Sequence, residues 1–308
     1  MKTNEQESRN PRNARKWFSF ISWVFIFASP GAAGADIKVT HQARSLQPGE
    51  VVLFQVESAQ PLRRLQASVF GHEFPFFPNG ANWTALVGID LDTKPGRYPV
   101  KLSGSDASGE PVVSQDTLVV LAKKFPTREL TVDEKYVTPP PEAQARIKRE
   151  AEKVRAIFDA LSPRRYWLGA FHVPVPGPPI SEFGKRSIYN GKPRSPHAGT
   201  DFQGATGTPV QAPNAGRVVL AADLYYSGNT VILDHGLGLY SYFGHLSAFS
   251  VREGDQLSTG DVVGKVGATG LVTGPHLHWS VRLVGTRVDP LSLIFLFRRQ
   301  SQKSPNRM

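Results

Sequence analysis

The chain has 308 residues, of which 40% are hydrophobic and 20% charged, with 28 Gly, 25 Pro, no Cys and a formal net charge of +10. This length allows about two domains of ordinary size, and the hydrophobic fraction excludes intrinsic disorder for most of the chain. The absence of cysteine excludes a disulfide framework, an iron–sulfur cluster, a thiolate zinc site and a cysteine nucleophile. Any protein-bound metal must therefore be held by His, Asp or Glu.

The positive charge is concentrated at the two ends of the chain. Residues 1–35 carry +3 and residues 298–308 carry +4, which leaves +3 on all the residues between them. The body of the protein is only mildly basic, so its charge does not predict a nucleic-acid partner. We expect the basic end to be solvated chain, with adhesion to an anionic wall polymer or membrane surface as the alternative.

The first 35 residues have the pattern of an export signal. A basic stretch ends at Lys16, an apolar run covers residues 17–28, and Ala33-Gly34-Ala35 is a small-x-small cleavage pattern. The apolar run is short for a membrane span, which needs about 20 residues. We predict cleavage after Ala35 and no stable membrane span thereafter, with an uncleaved anchor as the alternative. In both cases the protein is exported to the periplasm or cell envelope.

Residues 36–122 predict a small β-sandwich of immunoglobulin-like type. Short β-prone runs recur at about ten-residue spacing, with Pro, Gly and Asn turn signals between them. No polar cluster here indicates chemistry, and His41 and His72 stand alone. The runs cover residues 51–56, 65–70, 83–89, 98–102 and 117–121.

Residues 123–165 predict a linker followed by a bridging helix. A charged, proline-bearing connection ends at Pro139-Pro140-Pro141, and from Glu142 onward four apolar residues form one stripe among Arg, Lys and Glu. Prolines are expected to begin this helix and Ser162-Pro163 to end it. The stripe consists of Ile147, Val154, Phe158 and Leu161.

Residues 166–295 predict a compact antiparallel β domain, because alternating β patterns are separated by glycine at nearly every turn. We expect strands over residues 207–220, 230–234, 239–243, 262–266 and 277–283. Residues 291–297 are expected to form a closing strand or helix on this domain, and residues 296–308 a basic tail. The predicted fold is thus mainly β, with an N-terminal sandwich, a bridging helix and a C-terminal antiparallel β domain.

Six of the eight histidines lie after residue 171, and they form clusters there. In a strand, His276 and His278 project from the same face. Together with His197 and Asp201 they exceed the three protein ligands that a catalytic zinc site needs, which leaves imidazoles for acid/base work. The spacing therefore favours a metal site, with unrelated surface and core histidines as the alternative.

Four motif blocks resemble the lysostaphin-type (LytM-like) zinc metallopeptidases, a murein endopeptidase family. The blocks follow the family's order over about residues 180–290: NGKPRSPHAGTDF at 190–202, GNTVILDHG at 228–236, YFGHLS at 242–247, and GATG at 267–270 leading to TGPHLHW at 273–279. The resemblance implies that the Zn²⁺ ligands are His197, Asp201 and His278. It makes His245 and His276 the catalytic imidazoles and leaves open which of them is the base. His235 matches a position that is not a ligand, and we interpret it as structural.

The resemblance implies a zinc metalloendopeptidase that hydrolyses peptide cross-links or stem peptides of peptidoglycan in cell-wall remodelling. One alternative is a non-hydrolytic wall-binding module or an activator of other wall hydrolases, against which the intact ligand set argues. A second alternative is a zinc peptidase that acts on folded proteins.

Two further roles remain open at the level of sequence. Residues 173–180, rich in proline, are expected to form either a wall of the substrate groove or a plain linker. Self-inhibition by the N-terminal region is conceivable, although the candidate inhibitory ligands qualify only by residue type: His41, His72, Asp133 and Glu134.

Overall fold

The computed structural model of this chain describes residues 37–132, 134 and 137–303. The predicted export signal, Asp133 and the end of the predicted tail lie outside the described residues. The domain boundaries and the signal cleavage stay predictions. The prediction of a mainly β fold is confirmed by the strands described below.

The N-terminal part consists of two four-stranded antiparallel sheets, in the orders β1-β2-β6-β5 and β4-β3-β7-β8. Each of the five predicted runs lies mostly within a strand, whereas β1, β4 and β5 had no predicted run. Apolar residues of both sheets belong to one buried core, and the immunoglobulin-like topology stays a prediction. The strands are β1 (Ile37–Ala43), β2 (Val51–Ser58), β3 (Leu62–Val69), β4 (His72–Pro75), β5 (Phe77–Asn79), β6 (Asn82–Gly88), β7 (Gly96–Asp106) and β8 (Pro111–Val120).

The connection to the C-terminal part contains a strand and the predicted helix. Strand β9 (Thr127–Leu130) falls within the predicted linker, and helix α1 (Pro141–Asp159) begins after Pro140 with proline in its first turn. Val154 and Phe158 of the predicted stripe pack on the C-terminal sheet, where Phe158 contacts Tyr240 and Tyr242. Leu161 lies beyond the end of the helix and is exposed. The helix prediction is confirmed, and α1 covers one part of the sheet face that carries the histidine cluster.

The C-terminal part is built on a ten-stranded antiparallel sheet. Its main path is β10-β13-β20-β17-β16-β15-β18, with β19 on β17, β14 on β19 and β21 on β20. Strands β11 and β12 form a hairpin beside it, and β9 pairs with β11 in parallel. The strands are β10 (Pro179–Ser181), β11 (Arg186–Tyr189), β12 (Lys192–Pro193), β13 (Thr200–Gln203), β14 (Pro209–Gln211), β15 (Gly216–Leu224), β16 (Gly228–Gly236), β17 (Leu239–Phe249), β18 (Gln256–Leu257), β19 (Val262–Val266), β20 (His276–Leu283) and β21 (Thr286–Val288).

The predicted single run over residues 207–220 was wrong, because β14 and β15 are separate strands. Between them lies Pro213, which has no N–H to donate to a sheet, followed by the fully buried Asn214. The Asn214 side chain donates hydrogen bonds to the carbonyl oxygens of Leu168 and Ala170. The chain therefore turns between β14 and β15.

The chain closes with helix α2 (Pro290–Lys303), so the predicted closing element is a helix and residues 296–303 are helical instead of a tail. Leu293, Ile294 and Leu296 are buried in a core that also includes both N-terminal sheets. The Ser292 hydroxyl donates to Glu50 Oε2 (2.8 Å), next to β2. None of the helices in the described part of the chain has the length and apolarity needed to cross a bilayer.

Candidate metal centre

The three predicted ligands converge where β13 meets β20. Asp201 on β13 is paired directly with His278 on β20, so the two side chains share one face of the sheet. His197 lies four residues before Asp201, and its Nε2 is 2.9 Å from Asp201 Oδ1 and 3.1 Å from His278 Nδ1. The His278 Nδ1–Asp201 Oδ1 distance is 2.9 Å. The structure therefore brings His197, Asp201 and His278 into a single donor set.

Gly199 allows this convergence. A Cβ atom at this position would lie 2.6 Å from the carbonyl oxygen of Trp279 and 2.7 Å from Cε1 of His278. Any larger residue would therefore push the segment between His197 and Asp201 away from β20. The glycine between the first two ligands keeps them within reach of the third.

The ring orientation of His197 is set by a backbone group. Its Nδ1 lies 3.0 Å from the carbonyl oxygen of Glu182. A carbonyl oxygen only accepts hydrogen bonds, so Nδ1 carries a proton and donates it. In the neutral imidazole, Nε2 then keeps its lone pair and points at the donor set, which is the usual arrangement of a metal-binding histidine.

The donor set has one firmly anionic member. Burial alone would raise the pKa of Asp201, but the hydrogen bonds that His197 and His278 donate when their facing nitrogens are protonated outweigh it and hold the pKa well below its usual range. Burial alone would lower the pKa of His197, but the hydrogen bond and charge of Asp201 outweigh it and raise the pKa. Burial lowers the pKa of His278. A carboxylate flanked by two imidazoles attracts a positive charge to the point where the three donors meet.

Two more imidazoles stand beside the donor set. His276 shares the face of β20 with His278, and its Nε2 lies 3.9 Å from Asp201 Oδ1. Its Nδ1 donates to the carbonyl oxygen of Gly274 (2.9 Å). His245 on β17 lies with its ring centroid 4.8 Å from that of His276 and 6.0 Å from that of His278. All five predicted site residues are therefore neighbours in the structure.

His245 is held in an unusual conformation. Its φ of 65° lies in the left-handed region that residues other than glycine rarely adopt. Its N–H donates to the carbonyl oxygen of Ser227 (2.7 Å), and its Nδ1 donates to that of Thr269 (3.0 Å). The neutral ring thus carries its lone pair on Nε2. Burial and the charge of His278 lower the pKa of His245 to about 3, so this ring is neutral at neutral pH.

Sequence reasoning did not assign a role to Thr269, which fixes the loop after β19. Its hydroxyl accepts from the N–H of Asn229 (2.9 Å) and donates to the carbonyl oxygen of Leu246 (2.8 Å). A Cβ atom on Gly228 would lie 2.3 Å from Thr269, so the two loops are in close contact. The glycine-rich string at 267–270 was the available signal for this packing.

The other predicted candidates lie elsewhere. His235 is fully buried on β16, where Nδ1 donates to the carbonyl oxygen of Ala215 (2.8 Å) and Nε2 accepts from the Ser241 hydroxyl (2.9 Å), in keeping with a structural interpretation. Among the described residues, the candidate inhibitory groups make no hydrogen bond or ion pair with the donor set. These are His41, His72 and Glu134.

Five residues of the proline-rich segment 173–180 face a cavity, and the end of the segment lies in β10, which pairs with β13. Residues of this segment and Phe202 surround a cavity of about 920 Å³. Phe202 follows Asp201 in β13, and neighbouring residues of a strand point to opposite faces. The cavity therefore lies on the other side of the sheet from the donor set, and the groove wall stays a prediction.

An anionic His–Asp–His donor set with two further imidazoles beside it is typical of a metal-dependent hydrolase. Residues 195–290 match peptidase family M23. The crystal structure of a Pseudomonas aeruginosa protein assigned to peptidase M23 is 34% identical in sequence, with a TM-score of 0.65, and the match covers 81% of this chain and 95% of that chain. The chain belongs to peptidase family M23, and the resemblance predicted from the motif blocks is confirmed.

Two curated relatives match a shorter stretch. Over 97 residues the chain is 41% identical to the DD-carboxypeptidase/endopeptidase Mpg of Neisseria meningitidis. Over 97 residues it is 40% identical to the peptidoglycan DD-endopeptidase ShyA of Vibrio cholerae. Each match covers 32% of this chain, but only 22% and 23% of the relatives, respectively. The chain thus spans less than a quarter of the length of these relatives.

Proposed function

We propose that the protein is a zinc-dependent endopeptidase that hydrolyses peptide cross-links or stem peptides of peptidoglycan. The observation that carries the proposal is the convergence of the donor atoms of His197, Asp201 and His278 beside the Nε2 lone pairs of His245 and His276. The Neisseria and Vibrio relatives are both named as endopeptidases, which supports the reaction class. The Vibrio name supports peptidoglycan as the substrate.

The donor set fits zinc. Two imidazole nitrogens and one carboxylate oxygen are the number and kind of protein ligands found in catalytic zinc sites, where a fourth position stays open. The nitrogen atoms of His197 and His278 that face each other are 3.1 Å apart. If both carry lone pairs, they repel each other unless a cation lies between them. When bound, zinc would act as a Lewis acid that lowers the pKa of a water molecule and polarises the scissile carbonyl.

The two remaining imidazoles would handle the protons of the reaction. His245 and His276 each donate from Nδ1 to a backbone carbonyl, so each presents Nε2 as a proton acceptor. One of them would take the proton of the attacking water and pass it to the leaving amine, while the other would stabilise the oxyanion in its protonated form, in which Nε2 donates a hydrogen bond. Both backbone hydrogen bonds keep the rings oriented while the proton moves.

The location follows from the substrate. Peptidoglycan lies outside the cytoplasm, and the predicted export signal in residues 1–35 would deliver the chain to the periplasm or envelope. A wall-binding module or activator without hydrolysis has no use for a complete donor set with two oriented imidazoles. The complete set therefore favours the enzyme over that alternative.

The test is hydrolysis of purified sacculi by the zinc-loaded protein. We expect the wild type to release peptide-cleaved fragments and His276→Ala to release none while its zinc content is unchanged. His278→Ala should lose the metal, and His172→Ala, at an exposed histidine outside the site, should behave as wild type. Full hydrolysis by His276→Ala would contradict the assigned roles. Digestion of casein without digestion of sacculi would favour a peptidase of folded proteins instead.

A further inference from the structure

Helix α1 holds the loop of residues 225–227, which joins β15 to β16 beside His245. The N–H of Tyr225 donates to Glu150 Oε2 (2.8 Å). Arg146, one turn earlier in α1, donates to Glu150 Oε1 (2.5 Å) and to both the carbonyl oxygen (3.1 Å) and Oδ2 (2.9 Å) of Asp223. The Glu150 carboxylate and the Arg146 guanidinium therefore hold the end of the β15–β16 hairpin against α1.

The same loop contacts the catalytic candidates on its other side. The carbonyl oxygen of Ser227 accepts from the N–H of His245 (2.7 Å), and Ser227 Oγ accepts from the Tyr242 hydroxyl (2.5 Å). The carbonyl oxygen of Tyr226 accepts from the N–H of Leu271 (2.9 Å), in the loop that precedes His276. Each residue of the loop is thus tied either to α1 or to a segment that carries a site imidazole.

His245 depends on such restraints more than an ordinary strand residue does. Its left-handed backbone is energetically unfavourable and persists only where the surroundings hold it. One of the hydrogen bonds that hold His245 is donated by its N–H to the carbonyl oxygen of Ser227. Ser227 lies two residues after Tyr225, whose N–H donates to Glu150. Glu150 lies outside the family match at 195–290, so this support comes from the connecting helix.

We propose that Glu150 is a positioning residue for His245 and acts through the loop of residues 225–227. The inference rests on the proposed function, in which the Nε2 of His245 faces the reacting atoms. A catalytic group displaced by about 1 Å can lose as much as about a hundredfold in rate, even when the change lies far from the chemistry. Loosening the loop should therefore reduce turnover and leave the metal ligands untouched.

The test compares three variants of the full zinc-loaded chain on a soluble cross-linked muropeptide. Glu150→Ala removes the acceptor of the Tyr225 N–H, and we expect kcat to fall about tenfold with KM and zinc content unchanged. Glu150→Gln keeps a side-chain oxygen for that N–H and should retain most of kcat. Glu152→Ala changes an exposed glutamate of the same helix and should behave as wild type.

Two NMR measurements report on the contact without catalysis. In Glu150→Ala the Tyr225 amide should exchange faster with solvent, and the imidazole signals of His245 should shift, whereas Glu152→Ala should change neither. If Glu150→Ala does not fold, Glu150→Asp, whose shorter side chain withdraws the acceptor, has the same expected result. Wild-type kcat together with unshifted His245 signals in either variant would overturn the inference. A wild-type protein that leaves sacculi intact would refute the proposed function, and the NMR results would still decide the role of Glu150.

Discussion

Acid should destabilise the folded protein through His235. This residue is 0% exposed on β16, and both ring nitrogens are engaged by neutral partners, the carbonyl oxygen of Ala215 and the hydroxyl of Ser241. Among the described residues no carboxylate hydrogen-bonds to the ring, and burial lowers the pKa of His235 to about 4. A proton added to Nε2 would also leave the Ser241 hydroxyl without its acceptor.

The size of the effect follows from the difference between the folded and unfolded pKa values. In the unfolded chain the histidine titrates near pH 6.5, whereas in the folded protein its pKa is about 4. Between these two values the unfolded state binds a proton that the folded state does not, so the free energy of unfolding falls as the pH decreases. Across the whole window the loss amounts to about 3 kcal/mol, at 1.36 kcal/mol for each pKa unit.

The assay is urea unfolding of the zinc-free protein from about pH 7 to about pH 4, compared with His235→Gln. The glutamine amide can donate to Ala215 and accept from Ser241, but it does not titrate. The two proteins differ only at this position, so the difference between the two curves isolates His235. Over this pH range we expect the free energy of unfolding of the variant to fall by about 3 kcal/mol less than that of the wild type. If the free energy of unfolding of both proteins depends on pH in the same way, His235 does not cause the loss of stability in acid.

Two further predictions concern the metal centre and the accessory region. Gly199→Ala should lower zinc affinity at least about tenfold because its Cβ would separate the segment between the first two ligands from β20, and equal affinity by competition titration would contradict this. A fragment of residues 162–308 should unfold at a lower temperature than the full chain because it exposes Leu293 and Leu296 of α2. An unchanged unfolding temperature would show that the fragment folds without residues 36–161.

The clustering of the candidate ligands was predictable because much of its geometry is local. A strand places His276 and His278 on one face whatever the rest of the fold, and a glycine-containing turn brings His197 back to Asp201. Only the pairing of β13 with β20 joins the two halves over a long distance. That pairing was not predicted, and the family resemblance supplied only the set of ligands.

The supporting contacts were not predictable, because they depend on pairings between distant segments. Strand β9 has four exposed residues and no alternating pattern, and it is a strand only because it pairs with β11. The same is true of the contact between Glu150 and the N–H of Tyr225, which are 75 residues apart. A glutamate on an exposed helix face looks the same in the sequence whether or not a loop lies against it.

The N-terminal sheets and the peptidase sheet depend on each other for charge pairing as well as for apolar contact. Glu50 is 2% exposed, and its carboxylate accepts from Arg44 and from the Ser292 hydroxyl of α2. Arg44 also donates to Asp289 (2.6 Å), so the buried charges are shared across the interface. Removal of one side would leave buried charges without their partners, which is more costly than the loss of an exposed pair. A change in activity after deletion of the N-terminal part would therefore reflect instability as well as any inhibitory contact. Point variants in α1 leave the charged contacts of Arg44 and Glu50 intact. A change in activity in such a variant is therefore not caused by the loss of these contacts.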